Sequence, residues 1–246
     1  MYLSRLVLNA RSRDVQRDLS NVQDMHRTVM SAFPDVGQPG DARSRLGVLY
    51  RLEAGRSGRI TLLVQSNQAP VWSALPSHYL ADTGGDPENP AVKPVDMFYA
   101  RIRRGDRLLF RLRANPTRKI ETRTGPDGKR RNGRRVELVG DEKQVEWLRR
   151  KGDQAGFAVL TVSPTSLLPN ARAATEDKVF GRRRARSSGS AVALEHTMVS
   201  LRPVLFEGVL EVADEEQFRC AITEGIGPGK AYGCGLLSVC PVREGG

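Results

Sequence analysis

Cysteine is scarce in this 246-residue chain, which has only Cys220, Cys234 and Cys240. Three residues so closely spaced cannot form a disulfide framework, and no two make a C-x-x-C pair, so no structural zinc is expected. Neither a metal nor a small-molecule cofactor is expected. Long apolar runs are also missing. No stretch of eighteen apolar residues occurs, so no transmembrane helix is expected. The opening MYLSRLVLNARSRD has too short an apolar stretch for a signal peptide and lacks a small-residue cleavage site. Together these absences predict a reduced, cytoplasmic protein with no membrane partner. Aromatic residues make up only 6% of the chain and are not interleaved with its basic runs. Reading of single-stranded bases on stacking platforms is therefore not expected.

Positive charge is what the chain has in excess. It carries 39 Lys+Arg against 28 Asp+Glu, a formal net charge of +11. Residues 101–135 hold fourteen of the basic residues and three acidic ones, which accounts for the whole excess. A second cluster is Arg182, Arg183, Arg184 and Arg186. Charge this localised is the footprint of a polyanionic partner, most often nucleic acid. A solvated surface charge is the plainer account of any single arginine, so the clusters carry more weight than their members. With 39% hydrophobic residues, the chain has enough apolar material for a packed core.

The apolar pattern predicts alternating strands and helices. Residues 2–9 read as a strand. A helix follows, with Asn21 as its N-cap and Asp24 three residues on. Residues 45–53 and 59–66 read as a hairpin across AGRSG. A Pro- and Gly-rich loop covers 82–94, and 96–113 reads as strand with Gly105-Asp106 as a turn. The second half repeats the order, with a short strand at 136–139, a helix at 141–151 and a strand at 157–163. Strand sequence at 199–212, a helix at 214–223 and a strand at 236–242 complete it. The expected fold is α+β, with two tandem ferredoxin-like (βαββαβ) domains built on antiparallel sheets. Residues 1–116 form the first domain and 117–246 the second.

Residues 225–239, GIGPGKAYGCGLLSV, place five glycines and one lysine in eleven positions. The P-loop pattern fails, because its first glycine position is Glu224 and Lys230 is followed by Ala231. The order also fails, because this loop follows a helix, whose C-terminal dipole repels phosphate. Nucleotide hydrolysis is not expected. Two accounts remain: backbone N–H groups at Gly227 and Gly229 that contact an RNA backbone with Lys230 and Tyr232, or a plain helix C-cap at Gly225 followed by an irregular turn.

FRLRANPTRK (110–119), VLFEGVLEV (204–212) and the glycine loop, with the opening MYLSRLVLN and the MHRTV segment, resemble the CasE family. These are CRISPR repeat-RNA endoribonucleases and subunits of the type I-E Cascade complex. The resemblance runs the length of the chain. It implies two ferredoxin-like domains and metal-independent cleavage of the repeat hairpin in precursor CRISPR RNA. The implied partners are that hairpin and the other Cascade subunits. Such cleavage proceeds by attack of a ribose 2′-hydroxyl on the adjacent phosphorus and leaves a 2′,3′-cyclic phosphate. It needs proton transfer and cationic help at the phosphorane.

By this resemblance His26 is the catalytic histidine, as general acid or general base. Its unperturbed pKa of about 6.5 suits either role, and a place near a helix N-terminus would add positive potential. His78 and His196 read as surface or packing residues. Family members often carry tyrosine three residues before the histidine, but here Gln23 stands there. An amide orients by hydrogen bonds but does not transfer protons. Arg27 and Ser31 share the helix, and Lys230 or Tyr232 reach in from the glycine loop, as further candidates. Arg111, Arg113, Arg118 and Lys119 are expected along the RNA stem. Arg182, Arg183, Arg184 and Arg186 fall where the family has a hairpin that enters it. Gln23 keeps a second reading open: a non-catalytic RNA-binding assembly subunit.

Overall fold

The computed structural model describes residues 1–36, 42–55, 58–85, 88–120, 135–163, 165–166, 168–183 and 197–242. The first unit runs β1 (Tyr2–Leu8), α1 (Arg13–Ser20), α2 (Val22–Met30), α3 (Ala42–Arg45), β2 (Leu49–Ala54), β3 (Ile60–Ser66) and β4 (Ala91–Pro94). Its sheet order is β2-β3-β1-β4, antiparallel throughout, which is the ferredoxin-like order. A single 3-10 turn, Trp72–Ala74, stands where a second long helix would lie. Alternation along the strands sends Leu6, Leu8, Leu62 and Val64 to one face, where they meet Val15, Met25 and Val29 of the two helices. Each such side chain contributes about 1.5–3 kcal/mol when fully buried, so this face fixes how α2 sits on the sheet.

The second unit comprises α4 (Asp96–Ala100), β5 (Arg107–Ala114), β6 (Thr117–Lys119), β7 (Arg135–Glu137), α5 (Asp141–Gln154), β8 (Phe157–Val159), β9 (Ala171–Thr175), β10 (Val179–Arg183), β11 (Thr197–Leu201), β12 (Val204–Val212), α6 (Glu215–Glu224) and β13 (Leu237–Pro241). Its sheet order is β13-β5-β12-β8, with β9 also on β12. Taking β5, β12 and β13 as first, third and fourth strands, this is the same ferredoxin-like order again. Two ribbons, β6–β7 and β10–β11, stand outside both sheets. Phe110, Trp147, Leu148, Phe157, Phe206 and Phe218 fill its core.

Two expectations change. The segment ahead of the turn at Gly105-Asp106 is not strand: Asp96–Ala100 is helical, and Asp96 accepts from the N-terminal amine of Met1, while the strand begins at Arg107. The last strand of the first sheet lies earlier, at Ala91–Pro94, inside the segment expected to be loop. Among the described residues it is an edge strand paired only with β1, a place where proline costs no ladder bond. The chain therefore changes sheets between Pro94 and Arg107, ahead of the expected boundary at 116/117, because β5 pairs with β12 and β13.

Buried polar bonds join the units. Arg51 on β2 is 1% exposed. It donates to the carbonyls of Arg111 (3.0 Å) and Leu236 (3.1 Å) and to Glu53 (2.7 Å). Gln65 on β3 donates to the Ile222 carbonyl at 2.8 Å.

Candidate active site

The glycine loop lies in the seam between the units, and packing explains its composition. A Cβ on Gly227 would come within 2.9 Å of the Trp147 ring. Gly233 has φ +76°, and a Cβ there would meet Tyr50 at 3.1 Å and the Arg113 guanidinium at 3.2 Å. Only glycine combines that left-handed backbone with so close an approach. Gly225 caps α6, its N–H donating to the Ala221 carbonyl.

Side chains from β2 and β5 then hold the loop. The Tyr50 hydroxyl donates to the Ala231 carbonyl at 2.8 Å, and burial pushes that phenol well above its ordinary pKa. Arg113 donates to the carbonyls of Gly233 (3.0 Å) and Tyr232 (3.4 Å) and to Glu176 (2.8 Å).

So held, the 3-10 turn Lys230–Tyr232 rests against α2. The Tyr232 hydroxyl donates to Gln23 Oε1 at 3.3 Å. Its ring stands edge-on to the half-buried His26, with centroids 6.4 Å apart and planes at 69°. Asn21 begins α2 as expected: its side chain accepts from the Gln23 N–H and donates to Asp24. The same oxygen accepts from the Arg182 N–H at 3.3 Å. A Cβ on Gly181 would lie 2.9 Å from Val22. The β10–β11 ribbon is therefore clamped on the helix that carries His26.

The other expected residues divide. Arg27 is exposed and ion-paired with Asp24. Together with Arg17, Ser31 and Arg182 it lines an open cleft of about 620 Å³. Ser31 lies five residues after His26, about 140° around the helix, so it faces this cleft and not the Tyr232 side. Its hydroxyl donates to the Thr28 carbonyl. His26 is the fifth residue of α2, beyond the first turn where the dipole acts, so the helix terminus adds little at its ring.

Arg113 is 7% exposed. Its bonds run inward to the loop, so it is a strut and not a phosphate contact. Arg111 pairs with Glu53 and Glu207 and lines a different cleft, with Arg51 and Ser238. Against burial, which raises it, the Arg51 and Arg111 guanidiniums hold the Glu53 carboxyl below its usual range. Lys230 has Arg43, Glu224 and Lys151 as charged neighbours, and burial leads in pulling its ammonium pKa down. Arg118 and Lys119 are exposed on β6, and Arg182 on β10. Arg183 ends β10, while Arg184, Arg186 and His196 lie outside the described residues.

Gly229 and Tyr232 border a second cleft, of about 730 Å³, with Asn115, Thr117, Lys178 and Ser200. Asn115 is 5% exposed, and its Oδ1 has no hydrogen-bond partner among the described residues. The Tyr50 and Arg113 braces and the Tyr232–Gln23 bond escaped sequence reading. The clue was the dense run of glycines, which marks a backbone forced into close contact as well as one that meets phosphate.

Similarity to known proteins covers nearly the whole chain. The chain is 36% identical to the CRISPR-associated endoribonuclease Cse3 of Thermus thermophilus over 242 residues, 98% of this chain and 100% of the relative. It is 29% identical to the CRISPR system Cascade subunit CasE of Escherichia coli, over 98% and 100% of the two chains. A solved structure of Thermus thermophilus Cse3, bound to an RNA representing a pre-cleavage complex, matches with a TM-score of 0.70 at 33% identity, covering 98% of each chain. The family model described as CRISPR associated protein matches residues 1–241, and the chain belongs to that family.

Proposed function

We propose that this chain is a CRISPR repeat-RNA endoribonuclease that cuts the repeat hairpin of precursor CRISPR RNA in the cytoplasm and remains with the product as a Cascade subunit. The carrying observation is the meeting of His26 with Tyr232 at the seam of the two units, beside a ribbon clamped on the same helix. The Thermus relative carries an endoribonuclease name and has been solved on a pre-cleavage RNA, and the Escherichia relative is named a Cascade subunit.

The chemistry follows from the residues. RNA phosphates lie along exposed Arg182, Arg118 and Lys119 in this reading, with the scissile phosphate near the seam. The 2′-oxygen attacks phosphorus and the P–O5′ bond breaks. The 2′-hydroxyl proton leaves to water, and the His26 imidazolium gives its proton to the departing 5′-oxygen. Arg27, partly neutralised by Asp24, adds positive potential from the adjoining cleft. The products are a 2′,3′-cyclic phosphate and a 5′-hydroxyl, and no step needs a metal.

The test is single-turnover cleavage of the host's repeat hairpin in EDTA, with identification of the product ends. Wild type should leave a 2′,3′-cyclic phosphate, and His26→Ala should be slower by about a hundredfold or more, as for a lost general acid. Activity lost in EDTA and restored by magnesium would overturn the mechanism. Tight binding without cleavage would make the chain an RNA-binding assembly subunit.

A further inference from the structure

We propose that Tyr232 is a second catalytic group of this site: its phenol, anchored by Gln23, binds and orients the attacking ribose 2′-hydroxyl. This rests on the endoribonuclease reading above and adds to it the group that serves the nucleophile.

The hydrogen-bond inventory makes the phenol ready for that role. A phenol has one O–H donor and acceptor lone pairs. The donor is used on Gln23 Oε1 at 3.3 Å. The lone pairs are left to accept from an incoming hydroxyl. A 2′-hydroxyl that donates to the phenol oxygen is fixed in orientation, and its own lone pairs turn toward phosphorus. Tyr232 keeps its proton throughout. The P–O2′ bond forms while the 2′-hydroxyl still donates to the phenol; the O2′ proton then turns from the phenol to a water and is released, and the P–O5′ bond breaks with protonation by His26.

Spacing supports the assignment. In an in-line displacement, the attacking and leaving oxygens lie on opposite sides of phosphorus. The groups that serve them must stand apart, with the phosphorus between. The Tyr232 and His26 rings touch edge-on, with centroids 6.4 Å apart, so the phosphate lies across the edge of the pair, with the phenol oxygen toward the attacking oxygen and the imidazole toward the leaving one. Tyr232 also borders the cleft of about 730 Å³, which offers room for a ribose and its phosphate.

The residue is held more firmly than simple packing of a turn requires. Three elements fix it: β2 through the Tyr50 hydroxyl on the Ala231 carbonyl, β5 through Arg113 on the Tyr232 and Gly233 carbonyls, and α2 through Gln23. Left-handed glycines bracket the turn, Gly229 at φ +88° and Gly233 at φ +76°. Rigid support for one polar atom beside a titratable ring is what a preorganised catalytic group needs.

The test separates a catalytic hydroxyl from a packed ring. Tyr232→Phe keeps the ring and removes the oxygen. Single-turnover cleavage of the repeat hairpin in EDTA should fall about tenfold to a hundredfold, the worth of one well-placed hydrogen bond. RNA affinity should stay within about twofold. Residue 23 lies one turn before His26 on the same face of α2, so Gln23→Tyr in the Tyr232→Phe background supplies a hydroxyl from the helix and should restore most of the rate. A Tyr232→Phe rate within about twofold of wild type overturns the assignment, as does a loss that Gln23→Tyr leaves unrepaired. Wild type that binds the hairpin and never cuts it overturns the endoribonuclease reading and this one with it. Wild type that cuts while Tyr232→Phe cuts equally well overturns this one alone.

Discussion

Arg113→Met is the substitution that most directly probes how the loop is held. Methionine keeps a long unbranched side chain in a site where Arg113 is 7% exposed, while removing every donor. The Gly233 and Tyr232 carbonyls then lose a charged donor at 3.0 and 3.4 Å. A buried acceptor left unpaired costs about 1–3 kcal/mol, and the longer bond belongs at the bottom of that range. Glu176 also loses its partner, at 2.8 Å. Breaking a fully buried pair costs about 3–5 kcal/mol, but the Glu176 side chain is 34% exposed and can rehydrate, which brings its share nearer ~1 kcal/mol. The expected loss is about 3 kcal/mol, a large part of the 5–15 kcal/mol typical of a folded domain. Urea unfolding followed by fluorescence measures it. Cleavage should fall at protein concentrations and temperatures where the variant is still folded, because the turn carrying Tyr232 is no longer held. If Arg113 acts through that turn, Arg113→Met and Tyr232→Phe should be non-additive in rate. Arg113→Lys keeps the charge without the fork and should fall between. A variant destabilised by less than about 0.5 kcal/mol that cleaves at the wild-type rate would refute the strut reasoning, since no named mechanism would be left to act.

Two further outcomes follow from charge and burial. Arg182→Ala should weaken hairpin binding and lower the slope of log affinity against log salt by about 1, because one exposed cation is removed from the ribbon; an unchanged slope in a salt titration would take Arg182 off the RNA. Burial pushes the Cys234 thiol up to about 11, so the folded state holds a proton that the unfolded chain releases nearer pH 8.5. That stabilisation is complete below the unfolded value and is lost as pH rises through the folded one. Chemical denaturation midpoints should therefore drop between about pH 9 and 11. The buried phenols of Tyr50 and Tyr79, also pushed up mainly by burial, act in the same direction at the alkaline end. Cys234→Ala should remove the thiol's share of the drop.

Much of the framework was readable because its causes are local. Asn21 ends one helix and caps the next through its own side chain. Asp214 does the same for α6, accepting from the Gln217 N–H. Alternation marks β1, β3 and β12, where one face is buried against helices. The errors fall where tertiary pairing overrode local pattern. Ala91–Pro94 became a strand because β1 offered it an edge. Asp96–Ala100 became a helix beside the chain's amino terminus. Basic residues of the FRLRANP segment looked like one RNA-facing group. In the fold Arg113 turns inward to the loop, and Arg111 is neutralised by Glu53 and Glu207.

The sequence alone determined the αβ order, the helix bearing His26 and the localised positive charge. It also ruled out a P-loop, because each of these depends on neighbours a few positions apart. The tertiary structure decided which groups meet. Gln23 and Tyr232 are 209 positions apart and share a hydrogen bond. Tyr50 reaches Ala231 across 181 positions. No periodicity encodes such pairs. They exist because buried polar bonds from Arg51 and Gln65 join the two units and bring a glycine-lined turn against a capped helix.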